Sequence, residues 1–185
     1  VLAEKVINVD IIDVTNNESA AADLAELNPY NETPTLVDRD LLLHNAGVIN
    51  DYLDERYPHP PLMPVDPVSR ARLRLVHHRV IRDWYPLASE IENAPVTKAD
   101  KPRQQLKESI IAANDLFKHS DFILSDELSL VDCTLAPLFW RLPVYGIDLG
   151  QPGASVQAYI QRLISRPSFK SSLTRAEREM VLNAT

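Results

Sequence analysis

Five prolines fall within ten residues, at Pro58, Pro60, Pro61, Pro64 and Pro67, in the run PHPPLMPVDP. Proline has no amide hydrogen and a fixed φ, so this stretch can be neither a helix interior nor a central strand. It predicts a stiff, extended linker over residues 58–67. The chain then falls into two domains, residues 1–57 and 68–185. Charge changes at the same place. Residues 1–57 hold 12 acids and 3 bases, a net of −9, and residues 58–185 hold 14 and 16, a net of +2.

The two parts have different patterns. Residues 6–14, VINVDIIDV, are rich in Val and Ile and predict a strand. Residues 19–27 favour helix, stopped by Asn28-Pro29. Two short apolar runs, 34–38 and 41–44, flank Asp38-Arg39-Asp40 and predict a hairpin. A helix follows over 46–57, capped by Asn45, with Val48, Ile49, Tyr52 and Leu53 on one stripe. Beyond the linker nothing reads as strand. Helical patterns cover 68–92, 103–118, 129–146, 154–166 and 174–182. The third has the clearest start: Ser129 and Asp132 form a capping box, with Leu128 and Cys133 at the staple positions. Its body, TLAPLFWRL, is apolar nearly all round, which predicts a central buried helix in which Pro137 removes one bond and bends the axis. The opening Val1-Leu2-Ala3-Glu4-Lys5 reads as the tail of a helix, so a first strand and most of a first helix are expected to precede it.

Composition excludes several classes. With 45% apolar residues in 185, the chain can bury a sizeable core and is not disordered overall. Cys133 is the only cysteine, which rules out a disulfide scaffold and fits a reducing cytoplasm. No apolar run approaches the roughly 18 residues of a membrane span. The acidic balance disfavours direct nucleic-acid binding. Arg70, Arg72, Arg74, Arg79 and Arg82 are the one basic cluster; at helical spacing they spread over more than one face, which reads as solvated helix surface, with a binding patch as the alternative.

Order and motifs together resemble the glutathione transferase superfamily, in which a thioredoxin-like α/β domain precedes an all-α domain. Thr33-Pro34 resembles that family's cis-proline turn. Ser129…Asp132 resembles the capping box of its central helix, and the run from Arg162 through Arg166-Pro167 to Phe169 resembles its late-helix signature. Longer runs are similar to the RNA-polymerase-associated, stringent-starvation branch of the superfamily. They are VLAEK (1–5), NPY…PTLVDRDL (28–41), DYLDERYPHPPLMP (51–64), RDWY (82–85), LSDELSLVDC (124–133), LAPLFWRLPVYGI (135–147) and SLTRAEREM (172–180). The resemblance implies a homodimer that lacks transferase activity and binds RNA polymerase holoenzyme, redirecting transcription under starvation stress.

The residues bear on catalysis independently. Glutathione transferases use a Tyr, Ser or Cys near the first strand–helix junction to stabilise the glutathione thiolate. That position would precede Val1. They also carry an acid or Gln followed by Ser at the start of the helix after the hairpin, holding the γ-glutamyl end. Here the pair is Asn45-Ala46. Losing a charged hydrogen bond costs roughly 1.5–3 kcal/mol. Thr33, Pro34, Asn45 and Ala46 therefore mark a degenerate glutathione site, with no cofactor and no catalytic residue expected. The alternative is a glutathione-dependent transferase or thiol enzyme. The five histidines lack metal-ligand spacing, so no metal is expected. Cys133 reads as a core thiol. Tyr52, Trp84, Tyr85 and Trp140 read as core or dimer packing, and Glu177, Arg178 and Glu179 as a solvated terminal helix.

Pro58-His59-Pro60 is the candidate protein-binding motif. A stiff exposed segment loses little entropy on binding, and His59 offers it a polar ring. The resemblance implies that this stretch lines a pocket for transcription partners. Resembling chains carry PVYP just downstream, where this one has Val65-Asp66-Pro67 and so lacks a Tyr anchor.

Overall fold

The computed structural model describes residues 1–15, 17–95 and 98–182. The chain forms two compact units, Val1–Pro61 and Leu62–Thr185. The division falls inside the proline run.

In the first unit, α1 spans Glu18–Leu27, and Asn17 starts it by accepting a hydrogen bond from the Ala20 amide. Asn28 ends it and is fully buried. Its side chain donates to Thr35 Oγ1 at 3.0 Å and accepts from the Tyr30 amide, tying the helix end to the hairpin. The hairpin pairs β1 (Thr35–Asp38) with β2 (Leu41–His44) in antiparallel register, Thr35 opposite His44 and Asp38 opposite Leu41. Arg39, at the turn, takes a φ of 57°. Helix α2 follows over Ala46–Arg56.

Two expectations fail in this unit. Residues 6–14 form no strand; Ile11 and Ile12 are 83% and 72% exposed. β-propensity expresses packing on a paired, half-buried surface, and among the described residues the hairpin pairs only with itself. On α2, Ile49 and Leu53 are buried, but Val48 lies exposed and off the apolar stripe.

The second unit is helical. Pro67–Arg79 (α3) begins on Pro67 at its first turn, with the Asp66 carboxylate accepting from the Ser69 amide at 2.8 Å. The helical path runs on through a π-helical stretch, Val80–Trp84, into α4, Tyr85–Asn93. Helix α5 (Asp100–Ala112) leads into a 3-10 turn, Asn114–Phe117. Then come α6 (Leu130–Trp140), α7 (Ala154–Ser165), α8 (Pro167–Ser172) and α9 (Arg175–Leu182). Helix α8 has no counterpart in the sequence reading. The α6 helix stops at Trp140 rather than 146, because Pro143 offers no amide and disfavours helix before it. The linker reading also needs correction beyond Pro61. Leu62 is buried, its carbonyl accepts from the Leu130 amide, and Pro67 is already helical.

Helix α6 is the centre of this unit. Seven of its 11 residues are buried, among them Leu135 and Phe139. The capping box is present, and the Asp132 carboxylate is saturated by four donors. Oδ2 accepts from the Ser129 amide at 2.7 Å and hydroxyl at 2.6 Å; Oδ1 accepts from the Ile123 amide at 3.0 Å and the Tyr159 hydroxyl at 2.6 Å. Burial pushes this carboxyl above its ordinary range against the pull of those donors. Trp84 and Tyr85 also belong to this core. The Trp84 indole donates to Ser109 Oγ, and the Tyr85 hydroxyl donates to the Thr134 carbonyl, with burial pushing its pKa up to about 12.

Candidate protein-binding site

Pro58, His59 and Pro60 are all exposed, and the His59–Pro60 bond is cis. The segment leaves the C-terminus of α2, where the Tyr57 amide donates to the Leu53 carbonyl. A lysine from the start of the chain braces it. Lys5 has a fully buried side chain. Its Nζ donates to the Tyr57 carbonyl at 2.6 Å and the Pro60 carbonyl at 2.7 Å, and pairs with Asp54 Oδ1 at 2.7 Å. An ammonium has three hydrogens to donate, and these three acceptors match them. The carbonyls on either side of Pro58-His59 are thus held by one cation. Sequence reasoning missed Lys5, because nothing in the local pattern announces contacts 52 and 55 positions away.

The candidate glutathione positions also lie in the first unit. The Thr33–Pro34 bond is cis, and both residues are exposed. Asn45 adopts φ 76° and caps α2, its Oδ1 accepting from the Gly47 amide at 2.9 Å and the Val48 amide at 3.3 Å. Helix N-terminal amides are the groups that would receive a ligand carboxylate. Here two of them are already engaged by the chain's own side chain. Ala46 adds no hydroxyl. Beside this helix start, the His44 ring packs on Tyr30 with centroids 5.0 Å apart, and its Nδ1 lies 3.4 Å from Glu32.

The remaining sequence candidates are dispersed. Tyr52 donates to Asp38 Oδ2 at 2.6 Å. Half-buried His77 contacts Thr134 Oγ1, while His78 is exposed. Cys133 is half-buried. Among the described residues no group of three His, Cys, Asp or Glu side chains could hold a metal. Of the basic cluster, Arg72, Arg74, Arg79 and Arg82 are exposed, whereas Arg70 donates to the Pro64 carbonyl. Glu177 departs from the solvated reading: it is half-buried and accepts from the Arg141 guanidinium at 3.1 Å. Arg178 donates to the Leu173 carbonyl. Trp140 packs against Phe169 of α8, and the Arg166 guanidinium sits over the Phe122 ring.

Comparison with known proteins agrees with this architecture. Residues 1–61 match the glutathione S-transferase N-terminal domain and residues 75–167 match its C-terminal domain. A ternary complex of BphK, a bacterial glutathione transferase, superposes with a TM-score of 0.82 at 24% identity, covering 96% of this chain and 91% of that one. A Tau class glutathione transferase from mango gives 0.79 at 22% identity, covering 99% and 88%. The class defined by the fold is therefore that of the glutathione transferases. Sequence relatives narrow it. A stringent starvation protein A homologue from Haemophilus ducreyi is 45% identical over 175 residues, 94% of this chain and 81% of that protein. One from Coxiella burnetii is 44% identical over 181 residues, 97% and 86% respectively. More distantly, a probable maleylacetoacetate isomerase from Caenorhabditis elegans is 27% identical over 176 residues, covering 91% and 82%. The chain belongs to the stringent starvation protein A family, a branch of the glutathione transferase superfamily.

Proposed function

We propose that this protein is a non-enzymatic transcription regulator that binds RNA polymerase holoenzyme through the Pro58-His59-Pro60 loop and acts in the starvation response. The observation that carries the reading is the loop itself: three exposed residues, stiffened by proline and braced at both ends by the buried Lys5 ammonium. Such a segment pays little ordering entropy on contact. Family membership points the same way, since the relatives at 42–45% identity are stringent starvation protein A homologues. The setting proposed is the cytoplasm, with no cofactor; no described helix is long and apolar enough to cross a membrane.

The lack of transferase activity is part of the proposal. It is supported by Asn45, which already engages the amides of Gly47 and Val48, and by Ala46. The protein is further proposed to act as a homodimer. Val68 and Leu75 lie exposed on α3 on one face with Arg72 and Arg79, a mixed face suited to an acidic surface on a second copy. Light scattering on purified protein reads that state directly.

Polymerase pull-down and glutathione–chlorodinitrobenzene turnover, run on one batch of protein, test the whole reading. Holoenzyme capture without turnover is expected. Turnover without capture would establish the glutathione-dependent enzyme instead.

A further inference from the structure

We infer that Lys5 is a positioning residue for the Pro58-His59-Pro60 loop, holding it in its binding conformation; the inference rests on the partner-binding reading above. The argument starts from what the loop lacks. Pro58, Pro60 and Pro61 have no amide hydrogen, and the Tyr57 amide is already used by the Leu53 carbonyl. His59 has the one amide left between Tyr57 and Leu62. Proline stiffens the segment, but one so poor in donors has no backbone hydrogen bond of its own to fix its position, and its Tyr57 and Pro60 carbonyls are held by a donor from elsewhere.

Lys5 supplies that donor. Neutralising Asp54 would take only one of its hydrogens. The other two go to Tyr57 and Pro60, the carbonyls that bracket Pro58 and His59. Because the side chain is fully buried, the ammonium has no competing water and a single geometry. The ion pair fastens the cation to α2, and the cation fastens the loop. His59 is left exposed on a span fixed at both ends. Lys5 itself touches no partner; its effect on binding passes through His59.

The test uses the full chain and four variants. The His59 Cε1–H resonance reports loop order without a partner, thermal melting reports stability, and holoenzyme affinity reports binding. Lys5→Met is expected to shift and broaden the His59 resonance and weaken holoenzyme binding about tenfold, the scale of re-ordering a few residues. Asp54→Asn, which unfastens the cation from α2 but leaves its two carbonyl contacts, is expected to lower the melting temperature and to shift the His59 resonance and weaken binding by less than Lys5→Met does. In a His59→Ala background, Lys5→Met should add no further loss, because both act on one contact. Should Lys5→Met not fold, Lys5→Arg keeps the charge on Asp54 but displaces the donors from the carbonyls, and reads the same quantities. An unmoved His59 resonance, or equal and additive losses from Lys5→Met and His59→Ala, would overturn the inference. If the wild type fails to bind holoenzyme while Lys5→Met still disorders the loop, the polymerase reading falls and the positioning role stands.

Discussion

The Tyr159 hydroxyl donates to Asp132 Oδ1 over 2.6 Å, joining α7 to the N-terminus of α6 across 27 positions, with both residues fully buried. A hydrogen bond to a buried charged group is worth about 1.5–3 kcal/mol. Tyr159→Phe should therefore lower unfolding stability by roughly that amount in urea titration. Asp132→Ala should cost more, since it strands the Ile123 and Ser129 amides and the Tyr159 hydroxyl together.

Gly153, at the start of α7, allows a close approach. A Cβ built there would lie 2.5 Å from Leu149 Cβ, an atom held by its own backbone. Gly153→Ala should destabilise by about 1–3 kcal/mol, the usual cost of overpacking. Chemical denaturation checks it, with polymerase binding of the surviving folded fraction unchanged.

Asp66 gives a pH signature. The Ser69 amide holds its carboxyl below the ordinary value of 3.8, with Arg72 contributing. The folded value is the lowered one, so this cap adds stability above the ordinary carboxylate range and loses it as pH falls through the folded value. Asn caps without ionising. The melting-temperature advantage of wild type over Asp66→Asn should be present near neutral pH and vanish in acid. An advantage that persists in acid would mean that the charge contributes nothing.

The degenerate glutathione site can be tested by repair. Asn45→Asp with Ala46→Ser restores a charge and a hydroxyl at the start of α2. Calorimetry should show glutathione affinity rising about ten- to a hundredfold, the equivalent of one charged hydrogen bond. An unchanged isotherm would show that the obstacle lies elsewhere.

Short-range chemistry was legible in the sequence. The Asn45 cap, the turn at Arg39 and the Ser129–Asp132 box each depend on residues within three or four positions of one another. The same holds for Asp66-Pro67, a helix-start pattern that the proline run around it masks. The unreadable parts depend on partners far away in sequence. Residues 6–14 have strand composition and no paired neighbour. Val48 matches the α2 period, yet it faces away from what Ile49 and Leu53 pack against. Glu177 looks like surface until Arg141, 36 positions earlier, meets it. Lys5 is the extreme case: an ordinary cation by composition, and by geometry the brace of the candidate site.

The central claim concerns one side chain on that brace. Equilibrium titration of fluorescently labelled RNA polymerase holoenzyme with wild-type protein and with His59→Ala tests it most directly. Loss of a central interface contact costs about 2 kcal/mol or more. Saturable binding by the wild type, weakened about thirtyfold or more in the mutant at unchanged melting temperature, is the expected result. Equal affinity of the two proteins would contradict the account and move the binding surface away from Pro58-His59-Pro60.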